Sequence, residues 1–450
     1  MKKMKIALAS MLVAAGITAT AGAANYTGCA DRLKEVGLFQ GTTQGYQLDK
    51  APTRAEASAM LVRLLGKEAE AQKLTYTAPF TDLVGWEKPY VQYLYDNGLA
   101  NGTSATTYNP TGTCSAQMYT TFLLRALGYS DSKGDFTYNG ALDFGKKVDL
   151  VNDFNCNTKN FLRDDVVAMS LTALDTEVND GTYRLLLEKL MDDGAVDEKK
   201  ADSLYTFFMQ EAAFDTAAAA TAADTKTETA VNMDMDLASA GKTMYKVSMP
   251  MTVKTDMNLD NLDKSKMEMT GKMTMTMDPS VAEDGQTKIE QDIKYYYTDG
   301  VYYMDMGEAG KLKMDMSFED IGNSMDVSSL NSNVPVCLID SITEGNGGLT
   351  VTYNLQGMFG SDLFKEMTSG IGDSVSIDVS GLKVSATTKN GKITDSKISG
   401  KMDIKVMGET MTATINASST VKATGNSVKV NLPSDLSSYE DIGTLVGSAE

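Results

Sequence analysis

The chain has 450 residues, 42% of them apolar, which is enough to bury sizeable cores and too many for a disordered chain. Its 41 basic and 60 acidic residues leave a net charge of -19, which excludes nucleic acid as a general partner, because a polyanion needs a cationic footprint. With no histidine (His 0), Ser-His-Asp and Cys-His catalysis, imidazole metal sites and histidine general bases are excluded together.

At the N-terminus Lys2, Lys3 and Lys5 precede an apolar stretch from Ile6 to Ile17, and Ala21-Gly22-Ala23 follows. This charged, apolar, small-residue order predicts a secretory signal peptide over 1–24, with a core too short to span a membrane. No later stretch approaches twenty apolar residues, so no integral membrane segment is expected after cleavage. An alternative is lipidation at Cys29, since Gly28-Cys29 ends a lipobox-like stretch, although Tyr26 and Thr27 fit it poorly. Cys29, Cys114, Cys156 and Cys337 lie far apart without a CxxC pair, which argues against zinc. An exported chain permits a disulfide among Cys29, Cys114 and Cys156, and the sequence does not choose the pair.

From about residue 27 to 205 apolar residues recur at three- and four-residue spacing, which predicts helices. Met60, Leu61, Leu64 and Leu65 share one face, while Arg54, Glu56 and Arg63 point elsewhere. An internal repeat organises this half. Gly37-Leu38, Gly41, Gly45-Tyr46 and Thr53-Arg54-Ala55-Glu56 return about sixty residues later as Gly98-Leu99, Gly102, Tyr108-Asn109-Pro110 and Cys114-Ser115-Ala116-Gln117. A looser third copy runs from Asp149-Leu150-Val151-Asn152 to Leu162-Arg163-Asp164-Asp165. The repeats cover about 27–68, 78–130 and 135–200 within a region 25–205. Each predicts a helix, a glycine-bearing loop and a second helix opened by a polar cap, and Thr53 with Glu56 has capping-box spacing. Gly41 and Gly102 are expected at positive-φ turns. Such units cannot bury their apolar faces alone and must stack on one another.

The stretch Phe80-Thr81-Asp82, Trp86, Leu94, Gly98-Leu99, Gly102 and Tyr108-Asn109-Pro110, together with Thr53-Arg54-Ala55-Glu56, resembles the repeats of the S-layer homology family. The resemblance implies an all-α, pseudo-threefold helical module. It would dock without covalent chemistry on cell-wall polysaccharide, in the family an acidic, pyruvate-bearing polymer, or on peptidoglycan. It also implies that the tetrapeptide arginine faces the polymer in grooves between repeats. Carried onto this sequence, the polysaccharide-binding residues are Arg54, Glu56, Asp82, Trp86, Gly102 and Arg163. Three departures qualify this. Repeat 2 has no arginine in Cys114-Ser115-Ala116-Gln117, repeat 1 lacks the Phe-x-Asp opening, and repeat 3 holds Arg163 in an altered context. Independently of the family, an arginine at a helix start presents a planar fork of donors beside unpaired amides, which suits a carboxylate. The competing readings are an ion pair for Arg54, packing for Trp86 and a helix cap for Asp82.

Residues 206–231 are expected to finish a helix that starts at Ser203 and ends near Phe214, and then to form an Ala/Thr-rich linker. Over 232–442 the period becomes two. Met267, Met269, Met273, Met275, Met277, Met304 and Met306 then fall on one side of their strands, which predicts an antiparallel sheet with one apolar and one wet face. Asp299-Gly300 and Asn390-Gly391 predict hairpins, 361–370 a short amphipathic helix, and Lys401–Val406, Thr412–Ile415 and Val428–Val430 further strands. The tyrosine-rich hairpin and the closing Asn431-Leu432-Pro433 resemble, at the level of pattern, the half-barrel of lipoprotein-carrier proteins. That resemblance implies a pocket for an acyl chain or other apolar small molecule, lined by the seven methionines just named. The alternatives are a core between sheet and helix, and a copper(I) thioether site.

The expected architecture is multidomain: an all-α three-repeat module followed by a mainly antiparallel, half-barrel-like α+β domain. No phosphate loop, GxSxG or paired-acid constellation is found, so no catalytic residues, metal ligands or cofactors are expected. The function expected is an exported cell-surface protein held on wall polymer and displaying a β-rich domain. The alternative is a surface carrier or sensor for an apolar ligand; hydrolysis of wall polymer has no residues behind it.

Overall fold

The computed structural model describes residues 26–282, 285–307, 310–318, 335–354, 375–406 and 409–442; the expected signal peptide and the expected helix at 361–370 lie outside the described residues. The helical half contains α1 (Thr27–Glu35) and α2 (Arg54–Leu64) with the short α3 (Glu68–Ala71), α4 (Lys88–Asp96) and α5 (Ala116–Ala126), then α6 (Ala141–Lys147) and α7 (Arg163–Leu174) with α8 (Leu186–Asp192). The first helix of each unit ends in the same way. Gly37 (φ 81) and Gly98 (φ 67) take the left-handed position after α1 and α4, and Asp149 (φ 59) takes it after α6. Leu38, Leu99 and Leu150 then donate back to the carbonyls of Leu33, Leu94 and Gly145. The third copy is looser because an aspartate holds a conformation that glycine holds in the other two.

The second helices α2, α5 and α7 contact one another at the centre, and every residue of α7 is buried. That environment suits helices that are apolar nearly all round. Caps differ among them. Thr53 accepts from the Glu56 amide and Glu56 reaches back to the Thr53 amide, the capping box expected at α2. Ser115 caps α5. At α7 the expected polar cap is absent, since Leu162 stands there and Asp165 accepts from its amide instead. Two isolated β-bridges, Thr42 with Gly45 within repeat 1 and Thr53 with Thr113 between repeats 1 and 2, add strand-like pairing, so the half is helical without being strictly all-α. All four cysteines, Cys29, Cys114, Cys156 and Cys337, are free buried thiols in this structure, and the first three lie in three different repeats, so the bridge considered among those three is not present. Lipidation at Cys29 is equally at odds with a side chain 3% exposed inside the core.

The expected linker is a helix. α9 (Glu198–Ala222) runs 25 residues, capped by Asp197, and its alanine run is the best helix-forming composition available. Its first turns bury Ala201, Leu204, Phe207 and Phe208 on the helical side, and its last turns bury Phe214, Ala217 and Ala218 against the sheet. Small alanines let the helix come close, and the Thr221 hydroxyl takes the Ile393 amide at 2.7 Å. Phe214 meets Tyr353 edge-on at 6.2 Å. Val351, Tyr353, Val384, Ala386 and Ile393 consequently share one buried core with the helical half. Among the described residues no helix is long and apolar enough to cross a membrane.

The second half is a twelve-stranded sheet of β1 (Lys226–Ser239), β2 (Lys242–Asp256), β3 (Lys266–Met277), β4 (Lys288–Thr298), β5 (Val301–Asp305), β6 (Lys311–Asp315), β7 (Ile339–Gly345), β8 (Gly348–Asn354), β9 (Val375–Lys389), β10 (Lys392–Val406), β11 (Glu409–Thr424) and β12 (Glu440–Asp441). Its order is β12-β6-β5-β4-β3-β2-β1-β11-β10-β9-β8-β7, antiparallel except for the β12–β6 pair. The expected strand at Val428–Val430 is irregular backbone beyond a 3-10 turn at Gly425–Ser427. Both expected hairpins form, with Asp299 (φ 51) and Gly300 (φ 76) closing β4–β5 and Asn390 (φ 53) and Gly391 (φ 73) closing β9–β10. Register places Met233 opposite Met249, Met269 opposite Tyr295, Tyr295 opposite Met304 and Tyr302 opposite Met314, so the methionines do share a face.

Where α7, α9 and the sheet meet, Asp175 caps α7, Glu211 and Asp215 lie one turn apart on α9, Tyr353 comes from β8 and Arg184 supplies the nearby positive charge. Burial, then the Asp215 carboxylate, pushes the Asp175 carboxyl up to about 8; burial, then Asp175 and Asp215, raises Glu211, and burial raises Asp215 against the pull of its hydrogen bond with Glu211. A carboxyl raised on folding holds a proton that the unfolded chain has released, so its contribution favours folding less as pH climbs from about 4 toward the folded value. Glu211→Gln, neutral at every pH, is therefore expected to match the parent near pH 4 and to exceed it by on the order of 1 kcal/mol at pH 8. Denaturation midpoints across that range check the difference.

Candidate functional site

Helix starts leave amides without intrahelical partners, and here a neighbouring repeat supplies them. Arg54 and Ala55, opening α2, donate to the carbonyls of Gly112 and Pro110 in repeat 2, and Cys114 returns a bond to Pro52. Arg163 and Asp164, opening α7, donate to Lys50 and Leu48 of repeat 1. Each arginine is thus carried into a seam between two repeats.

In the first seam Arg54 is 7% exposed. Its Nη2 donates to the Asn101 carbonyl at 2.6 Å, and its guanidinium lies 4.5 Å from the Tyr108 ring centre and 5.5 Å from that of Phe122. Asp82 accepts from the amides of Tyr108 and Asn109, so it braces the loop that carries the stacking ring. Burial raises its carboxyl, but those backbone donors outweigh it and leave the group below the usual range. Gly102 does not take a positive φ; a Cβ there would meet Phe80 Cε1 and the Ser104 carbonyl at 2.4 Å. Gly41 likewise serves close approach, to Tyr46 and Gly45.

In the second seam Arg163, also 7% exposed, lies 3.8 Å from Glu56. Asp165 beside it accepts from the amides of Leu162 and Asn157, and burial pushes its carboxyl up to about 7 against their pull. The Nε of both Arg54 and Arg163 is buried with no hydrogen-bond partner. At the third seam, which lacks the arginine, Gln117 donates to the Tyr138 carbonyl at 2.6 Å and Tyr119 approaches Phe161.

Five of the six expected residues therefore fall into two seams: Arg54, Asp82 and Gly102 in one, Glu56 and Arg163 in the other. Trp86 stands apart. It is 57% exposed and packs edge-on to Tyr90, whose hydroxyl takes a bond from Arg63 at the far end of α2. Expected as a stacking or packing residue, it is largely uncovered beside Val84, itself 87% exposed. The sequence reading missed Asn101 and Phe122 as partners of Arg54. It also missed a polar cavity of about 450 Å³ lined by Asn97, Leu99, Asn101, Arg125, Tyr129 and Asp131, where Arg125 makes paired bonds to Asp131. The Arg125–Asp131 spacing is its sequence signal.

On the sheet, Met267 and Met269 are buried, while Met273, Met275, Met277, Met304 and Met306 are half-buried. A second cavity of about 380 Å³ opens on the other face, among Asn232, Asp234, Lys383, Lys397 and Asn416. Among the described residues no group of three or more Cys, Asp or Glu could hold a metal ion.

A family model for the S-layer homology domain matches residues 79–115, the stretch from Phe80 through Trp86 and Tyr108 to the α5 cap. An endoglucanase of Bacillus sp. (strain KSM-635) is 28% identical over 110 residues, 22% of this chain and 12% of the enzyme. The middle cell wall protein of Brevibacillus brevis is 25% identical over 150 residues, 33% of this chain and 14% of that protein. A surface layer protein of Brevibacillus choshinensis is 27% identical over 127 residues, 28% of this chain and 11% of the relative. The chain thus spans less than a sixth of the length of these relatives. A crystal structure of a DUF1329 family protein from Desulfovibrio piger overlaps 48% of this chain and 93% of that one at 10% identity, with a TM-score of 0.15, too low to inform the fold.

The seam depends on Gly102 through its contacts with Phe80 and Ser104. Gly102→Ala is expected to lower stability by about 1–3 kcal/mol, whereas Trp86→Ala should stay within about 0.5 kcal/mol. Chemical denaturation of both variants checks this.

Proposed function

The chain carries an S-layer homology domain and is a cell-wall and cell-surface protein, and from that premise we propose that its helical half anchors it non-covalently on wall polysaccharide. The β-rich half is the displayed part, and the role is structural rather than enzymatic. One observation carries the reading: two guanidinium groups are buried at inter-repeat seams with their Nε donors unsatisfied. A buried donor left unpaired costs about 1–3 kcal/mol, more when charged, and a carboxylate entering the seam would offset that cost. Arg54, with Asn101 and Tyr108 fixing its plane, and Arg163 beside Glu56 are the anion contacts. Asp82 and Gly102 hold the first seam in shape, and exposed Trp86 offers a separate surface for a sugar ring.

The test is co-sedimentation of the whole exported chain with purified sacculi, with and without acid stripping of the attached polysaccharide. Binding should need the polysaccharide and fall about tenfold or more in Arg54→Ala and in Arg163→Ala, the scale of a charge-assisted bond. Binding that survives stripping moves the target to peptidoglycan. Absence of binding reduces the repeats to a scaffold.

A second reading concerns the sheet. Its methionine face, with Met273, Met275, Met277, Met304 and Met306 half-buried, supports a curved, half-barrel-like surface for an apolar ligand, since thioethers adapt to irregular apolar shapes. Solvent extraction of the purified chain followed by mass spectrometry should return a stoichiometric lipid-like compound. An empty extract would leave these methionines as core.

A further inference from the structure

The junction between the two halves holds a pair of cysteines 308 positions apart in sequence. Cys29 lies on α1; Cys337 lies in the 3-10 turn Val336–Leu338 that leads into β7. Both are free thiols in this structure, 3% and 6% exposed, and the Cys29 Sγ is 3.4 Å from the Cys337 carbonyl oxygen. The setting is closely held. Arg32 of α1 donates to the Asp340 carbonyl at 2.8 Å and stacks 4.3 Å from the Phe207 ring of α9. The turn itself packs against α7. The other two cysteines have different company: Cys114 lies near Arg54 and Tyr119, and Cys156 near Asp165 and Lys146.

We propose that Cys29 and Cys337 are a disulfide-forming pair, a covalent fastening between the first helix of the wall-binding half and the displayed sheet. The surface location supplies the setting, because disulfides form and persist outside the cytoplasm. The oxidant is a disulfide, carried by an extracytoplasmic thiol–disulfide oxidoreductase or a small-molecule disulfide. One cysteine thiolate attacks a sulfur of that disulfide, forms a mixed disulfide and releases the first thiol of the oxidant. The second cysteine thiolate then attacks the protein sulfur of the mixed bond and releases the other thiol. Two thiols of the chain have lost two protons and two electrons to form one S–S bond, and the oxidant disulfide has gained them as two thiols.

Timing follows from burial. Inside the finished core, desolvation pushes the Cys29 thiol up to about 12 and raises Cys337 as well, so little thiolate forms and no oxidant reaches it. The bond therefore forms while the two halves are still closing on one another. Once made, it is shielded from reductants. The inference depends on export and not on which wall polymer is bound.

The whole chain, exported into an oxidising compartment, would be denatured without reductant, alkylated with iodoacetamide and analysed by intact mass and non-reducing digestion. Two of the four cysteines, Cys114 and Cys156, should be alkylated, and one cross-linked peptide should join Cys29 to Cys337. Four alkylated cysteines, or a link from Cys29 to Cys114 or Cys156, would overturn the proposal. Cys337→Ser should add Cys29 to the alkylated set; if that variant does not fold, the map of the parent chain still decides. The reduced, folded chain should stay uncross-linked in oxidised glutathione, while the chain refolded in it should acquire the link. Equal cross-linking of both would overturn the stated order.

Discussion

The helical half is held by hydrogen bonds between the opening amides of one repeat and the loop carbonyls of another. Arg54 and Ala55 donate to Gly112 and Pro110, and Arg163 and Asp164 donate to Lys50 and Leu48. A helix start must find partners for its first amides, and these helices find them outside their own repeat. No single repeat is therefore complete, and the seams are fixed by backbone chemistry before any side chain is considered. The same bonds carry the two arginines into the seams. The surroundings of the arginines are then set by the neighbouring repeat: a carbonyl and two rings in one case, a glutamate in the other.

The halves are joined as tightly as the repeats are. α9 begins in the helical core and ends against β8 and β10, and Phe208 and Phe214, both buried, lie on either side of the transition. The sheet is therefore not held on a flexible tether; its orientation relative to the repeats is fixed by a shared core. Titratable groups buried at the same junction, Asp175, Glu211 and Asp215, weaken folding at higher pH. Proteins tolerate such groups where close packing of the surrounding apolar side chains more than compensates.

Several elements were legible because their signals are local. The capping box of α2 needs Thr53 and Glu56 three residues apart, and nothing distant alters it. Asp299-Gly300 and Asn390-Gly391 close hairpins because both residues of each turn must take positive φ. Alternation on β3 put its methionines on one face, as a period of two requires. The readings that failed depended on neighbours. Gly102 was expected to serve its own φ and instead makes room for Phe80; the alanine run was expected to be a linker and instead packs on the sheet. Where Trp86 lies relative to Arg54 was not legible either, since Tyr90 and Arg63 hold it near the other end of α2.

Sequence alone determined the division into a helical repeat half and a sheet half, the repeat motif with its arginines, the hairpin positions and the absence of histidine chemistry. All of these are properties of composition, period or residues a few positions apart, where chain connectivity supplies the geometry. Tertiary structure decided which repeat satisfies which helix start, which residues share a seam, that α9 welds the halves together, and that Cys29 faces Cys337. Those outcomes rest on contacts between residues tens to hundreds of positions apart. They are chosen by the burial and hydrogen bonding of the whole chain, and no local pattern encodes them.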